Sequence, residues 1–245
     1  MKQPSPLAKF WNEHPLALSL ILILVYVAGT GNLRNSAGDA SVFLTVWLSA
    51  LTLAVIWLTV SLHAAKELGL GPFRFGRRQL YLLALLPIPA VNLLGGLHAP
   101  VPVSSLICES VSMILVGFLE EVIMRGYLFA ALRKDSLREA VLITSLTFGI
   151  GHIVNLFTGQ ATLSTLLQVG YAIAIGLVFA LVLVKTGSLW PCIFIHSLMD
   201  LLAVFGGQIS SHQEVLISLL LMAYCLGLSW YLWKKVPGSA LTAED

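Results

Sequence analysis

Eight stretches of the chain carry little charge and run close to the length that crosses a bilayer. A hydrocarbon core about 30 Å thick takes roughly 20 apolar residues in a helix. The stretches cover approximately residues 15–30, 40–63, 79–97, 104–132, 139–157, 162–184, 188–206 and 213–233. In lipid a segment must satisfy its own backbone polar groups, so runs of this length fold as helices. Composition agrees, at 58% hydrophobic and 11% charged residues and a mean hydropathy of +0.90; a soluble domain carries about 25% charge. A water-soluble domain and a disordered chain are both excluded. The expectation is an all-α polytopic membrane protein of about eight transmembrane helices, forming a single integral domain over residues 1–245.

The first stretch, "PLALSLILILVYVAGTG", has the look of a signal-peptide core. A long leader containing Glu13 precedes it and no convincing small-x-small cleavage site follows closely, so it is read as a retained first helix. The third, "LYLLALLPIPAVNLLGGL", holds Pro87, Pro89, Asn92 and a glycine pair, and proline breaks or bends a helix. Cys108, Cys192 and Cys225 fall singly in apolar runs, with no CxxC spacing, and read as small buried apolar residues.

Basic residues set the orientation. With the N-terminus inside, the inner regions collect Lys2, Lys9, Lys66, Arg74, Arg77, Arg78, Arg133, Lys134, Arg138, Lys185, Lys234 and Lys235, twelve of the 14 basic residues. Arg34 falls outside and Arg125 within a span. This pattern supports both termini in the cytoplasm of a bacterial inner membrane, with lipid as the surroundings and no nucleic-acid partner.

Against that background a few polar residues stand out. A charge at a bilayer centre costs several kcal/mol, roughly 2.5 or more, so it is seldom kept without a use. The fourth span carries Glu120, Glu121 and Arg125, the fifth Phe148 and His152, the seventh His196 and Asp200; Asn92 and Gln168 are lone polar residues. At about 1.5 Å per residue, Glu120 stands roughly 20 Å above Arg133 and His152 roughly 21 Å above Arg138. His196 and Asp200 stand about 16 and 22 Å above Lys185. The three spans thus put their polar side chains in one layer. Glu121 and Arg125 are four apart and can pair along the helix. Glu120, turned about 100° away, is left to face the other spans. His196 and Asp200 share a face, and Phe148 lies one turn from His152, able to pack its ring or wall it from lipid.

A carboxylate beside two imidazoles in a dry cavity can activate water, while histidines can polarise a carbonyl, hold an oxyanion or bind a metal. Peptide hydrolysis is within reach of such a set. The HExxH signature is absent, so any metal would be gathered from separate helices. A plainer role is open to each residue, because buried polar groups also join membrane helices by hydrogen bonds of about 0.6 to 2 kcal/mol.

The motifs "EEVIMR", "FGIGH" and "HSLMD" read as EExxxR, FxxxH and HxxxD, in that order. Together they resemble the CPBP family, the CaaX protease and bacteriocin-processing (Abi-like) enzymes, over approximately residues 105–205. The resemblance implies an intramembrane endopeptidase, labelled a metalloprotease in the family, acting on a membrane-associated peptide or protein. It implies that Glu120 and His152 activate the water, and that His196 and Asp200 hold the oxyanion or contribute to a metal site. The metal would be a divalent ion such as zinc on His152 and His196; a metal-free site is the alternative. Eukaryotic CaaX endopeptidases have Asn where this chain has Asp200, which favours a ligand or histidine-orienting role here over oxyanion donation.

Two other functions compete. A proton- or ion-coupled transporter would use midplane carboxylates and histidines as a relay, but such proteins usually show internal repeats and no motif recurs. A non-catalytic immunity or scaffold protein would have no need of Glu120.

Overall fold

The computed structural model describes residues 5–98 and 103–236. Lys2, one of the basic residues used above, lies outside them. All the extended elements among the described residues are helices, with one isolated bridge pair between Leu97 and Gly206.

A short helix, α1 (Pro6–Glu13), is capped by Ser5, whose side chain accepts from the Ala8 amide at 3.2 Å. It was not among the expected elements, being too short and polar to read as a span. Its Trp11 is buried, edge-on to Tyr127, and Nε1 faces Glu67 Oε2 at 3.4 Å. Then follow α2 (Pro15–Ala37) and α3 (Val42–Ser61). The third stretch is broken as its prolines require: 3-10 turns over Arg77–Leu85 and Val91–Leu93 flank a single α turn, Pro87–Ala90. We call this broken segment, residues 77–93, α4. Asn92 is not a lone polar residue, since its Nδ2 donates to the Met199 carbonyl at 2.9 Å.

The fourth stretch is one continuous helix, α5, built of Val103–Glu121, a π-helical stretch Val122–Leu128 and a last turn Phe129–Leu132. Then come α6 (Leu137–Gly151, ending in a 3-10 run His152–Thr158), α7 (Thr162–Thr186), α8 (Trp190–Phe205) and α9 (Ser211–Lys234). Serines cap two of these starts, Ser136 at α6 and Ser210 at α9. Each of the eight expected stretches is therefore helical. Five helices, α2, α3, α6 with its 3-10 extension, α7 and α9, are long and apolar enough to cross a membrane, and α4 and α8 are shorter apolar segments.

The outward faces suit lipid. Leu24, Phe43, Leu53, Trp57, Phe194 and Trp230 are all exposed, an apolar surface far beyond the single patch a soluble monomer shows. Inside, α5 packs on α2, α3 and α8, while α7 packs on α6 and α9. Two close approaches fix the pairs that matter. A Cβ on Gly117 of α5 would meet the Ser197 backbone nitrogen at 2.6 Å, and one on Gly149 of α6 would meet the Val169 carbonyl at 2.8 Å. Small residues let membrane helices touch backbone to backbone. Gly117 therefore presses α5 onto α8 one turn from Glu121 and next to His196.

Cys192 and Cys225 are buried as expected, whereas Cys108 is only partly so. It sits on the stretch of α5 nearest that helix's start, where fewer neighbours cover it.

Candidate active site

The fourth stretch changes hydrogen-bonding pattern where its charges lie. The π turn begins at Val122, directly after the two glutamates, and includes Arg125. Such bulges are rare and concentrate at functional sites. Glu121 and Arg125 pair along the helix, Arg125 Nη1 donating to Glu121 Oε1 at 2.8 Å, with both side chains fully buried. Phe148 stacks against the guanidinium, 4.0 Å from its carbon to the ring centroid. Gly176 of α7 makes room for it: a Cβ there would stand 2.9 Å from Arg125 Nη2.

Glu121 has a second partner. The same Oε1 lies 2.9 Å from His196 Nδ1. A carboxylate accepts, so the proton on that contact sits on Nδ1, and Nε2 is the atom His196 presents to the cavity. That Nε2 stands 3.5 Å from Asp200 Oδ2 and 3.8 Å from Glu120 Oε2. Both gaps exceed a good direct hydrogen bond, which leaves Nε2 free to meet a water or substrate oxygen beside the two carboxylates. Glu120, adjacent in sequence, points elsewhere from Glu121. It accepts from the Tyr26 hydroxyl at 2.6 Å and turns its other oxygen toward His196.

His152 lies at the end of α6, its Nδ1 3.0 Å from the Phe148 carbonyl. A carbonyl can only accept, so Nδ1 carries hydrogen and the neutral ring keeps its lone pair on Nε2. The Phe148 ring meets both imidazoles nearly edge-on, at 5.1 Å from His152 and 5.5 Å from His196.

These groups line one cavity of about 280 Å³, which takes in Tyr26, Arg34, Glu120, Phe148, His152, Asn155, Gln168, His196 and Asp200. The sequence-predicted residues Glu120, His152, His196 and Asp200 thus share a wall, while Glu121 and Arg125 lie behind it. The cavity is not the work of the fourth, fifth and seventh spans alone, because α2 closes its side with Tyr26. Tyr26 was missed by sequence reasoning, which gave the first three spans only topology. One tyrosine inside an apolar helix carries no signal of its own. Gln168, taken as lone, accepts from Asn155 Nδ2 at 2.9 Å and from Gln160 Nε2 at 3.1 Å.

Residues 102–202 match the family model described as Type II CAAX prenyl endopeptidase Rce1-like. Over this segment the chain is similar to that family. The match agrees with the resemblance carried by the three motifs and supports a membrane protease. No curated protein matches the chain. The matched segment holds Glu120, His152, His196 and Asp200, the cavity groups predicted from the motifs; Tyr26 and Arg34 lie before it.

Among the described residues no three His, Cys, Asp or Glu side chains come together as a metal-holding group, whereas a catalytic zinc takes about three protein ligands and an open position. As placed, His152 and His196 do not complete such a cage with either carboxylate.

Proposed function

We propose that the chain is an intramembrane endopeptidase that hydrolyses peptide bonds of membrane-associated peptides or proteins. The observation that carries this reading is the division between adjacent glutamates, Glu121 tied to Arg125 and His196, and Glu120 facing the cavity.

In the proposed reaction, water lies between Glu120 and the carbonyl carbon of the scissile peptide. Glu120 takes one proton, with the Nε2 lone pair of His152 as the second acceptor at the cavity wall. The water oxygen bonds to the carbonyl carbon, and the carbonyl oxygen takes the electron pair of its double bond. His196 acts as an imidazolium, with Nδ1–H held by Glu121 and Nε2–H facing that oxygen. Glu120 then returns its proton to the amide nitrogen as the carbon–nitrogen bond breaks. The products are a carboxylic acid and an amine. Asp200, one turn along α8 and 3.5 Å from the same Nε2, keeps a carboxylate beside that charge. Tyr26 fixes Glu120 so that one oxygen stays directed at the substrate.

The transporter reading fares less well, because the cavity ends on packed side chains, including Met124 and Phe148. We further propose that the protein resides in a bacterial cytoplasmic membrane with both termini cytoplasmic, on the basic-residue pattern.

The test is cleavage of synthetic membrane-spanning peptides by the purified full chain in lipid, with and without chelator, beside Glu120→Ala. Cleavage lost in Glu120→Ala supports the reading; equal cleavage by both proteins overturns it. Elemental analysis of the same preparation addresses zinc. Full activity with substoichiometric zinc leaves an acid–base site without metal, and activity that tracks bound zinc overturns that form of the mechanism.

A further inference from the structure

The cavity lies at one end of the helices that build it. Its α2 residues run from Tyr26 to Arg34, in the C-terminal half of that helix. Its α6 residues run from Phe148 to Thr158, again the C-terminal half, and it reaches Gln160 in the turn before α7. On α8 it takes His196, Asp200 and Ala203, and on α5 it extends back to Met113. Alternate helices run in opposite directions, so these positions all point to the same end of the bundle.

The other end is solid. Below Phe148 and Met124 lie Tyr127, Phe129, Ala140, Phe179 and Cys192, each at most 1% exposed. That end is also the basic one. Lys134 pairs with Glu67 at 3.8 Å and stands over Trp11 of α1, while Lys185 reaches the Lys235 carbonyl at 3.3 Å. Lys9, Arg133, Arg138 and Lys234 flank the same helix ends. At the cavity's end the described Lys and Arg residues reduce to Arg34, itself paired with Asp39 at 2.5 Å. Cytoplasmic loops carry the excess of Lys and Arg.

We infer that the catalytic cavity opens to the non-cytoplasmic side of the membrane, so that its substrates are segments of membrane-bound peptides or proteins presented on that side after translocation. The substrate rests on the peptidase reading above; the direction of the opening does not. Chemistry then takes place near the midplane, at the floor formed by Phe148, His196 and Glu120. A substrate descends to it past Arg34, Asn155 and Gln160. A soluble cytoplasmic protein has no path to the floor.

Sided thiol labelling tests this in spheroplasts producing the full chain, with Cys108→Ser and the buried Cys192 and Cys225 left in place. Single cysteines are added at Ser36 and Gln160 toward the cavity's end, or Thr158→Cys should Gln160→Cys fail to accumulate, and at Asp135 in the basic loop. A membrane-impermeant maleimide is applied first; unreacted thiols are then counted by a gel shift after lysis. The expected result is loss of the later shift for Ser36→Cys and Gln160→Cys, and a full shift for Asp135→Cys until the cells are permeabilised. The reverse pattern overturns the inference, as does protection of both cavity-side positions or reaction at Asp135 in sealed cells. Cleavage of a membrane-spanning peptide by the purified parent chain separates the two readings. Sidedness found while the parent cleaves nothing defeats the peptidase reading and leaves the opening where it is.

Discussion

The two halves of the helix bundle treat polar side chains in opposite ways. Toward the basic end, Arg125 and Glu121 are sealed beside Phe148 and Phe179, joined to each other by one hydrogen bond and out of reach of solvent, with Glu121 Oε2 and Arg125 Nε and Nη2 left without protein partners. Toward the open end, Glu120, His152 and Asp200 line a cavity and stand where a substrate or water can reach them. Neighbouring residues of α5 supply both. The difference teaches that charge in this membrane fold has two uses, one as a clamp that holds helices and aims His196, the other as a reagent. A sealed, paired charge is costly to break, and an open one costs little stability to remove.

Substitutions can break or sharpen that contrast. The largest effect is expected at Glu120, where Glu120→Gln keeps shape and removes the base. Peptide cleavage should fall by about 10²- to 10⁴-fold, with folded yield and unfolding temperature close to those of the parent. In the sealed half, Arg125→Ala leaves the Glu121 carboxylate buried without its partner, and should cost about 3 to 5 kcal/mol of stability. Thermal unfolding in detergent would show it as lost folded yield, whether or not a substrate is known. At the contact that joins the halves, Gly117→Val drives a side chain into the Ser197 backbone. Overpacking of this kind costs about 1 to 3 kcal/mol, and cleavage should drop with stability as α8 is pushed from α5. The smallest expected change is Tyr26→Phe, which removes one hydrogen bond to Glu120, worth about 1.5 kcal/mol. A fall of about tenfold in cleavage rate follows from that figure, with stability nearly unchanged.

Much of this contrast is legible in the chain itself, for reasons that differ along it. The helices could be read because apolar runs of membrane length have one way to satisfy their backbone. The break at Pro87 and Pro89 could be read because proline withholds a donor. The Glu121–Arg125 pair followed from four-residue spacing. The Glu121–His196 contact could not be read, since it joins residues 75 apart across the Gly117 approach and no local pattern encodes that distance. Tyr26 was hidden for the same reason, 94 residues from its partner. The π turn over Val122–Leu128 also escaped, because its sequence is that of an ordinary apolar helix. The α1 helix was overlooked because its stability comes from Trp11 docking on Tyr127, a contact made only once the bundle exists.

The most direct test sets the two glutamates side by side, as Glu120→Gln and Glu121→Gln purified in the same lipid. Cleavage of a membrane-spanning peptide and thermal unfolding are measured on each preparation. The account predicts that Glu120→Gln unfolds like the parent and cleaves nothing above background. It predicts that Glu121→Gln unfolds at a lower temperature, because Arg125 keeps its buried charge without a carboxylate to match it. Equal destabilisation of the two variants, or cleavage that survives in Glu120→Gln, would contradict the division of labour between them.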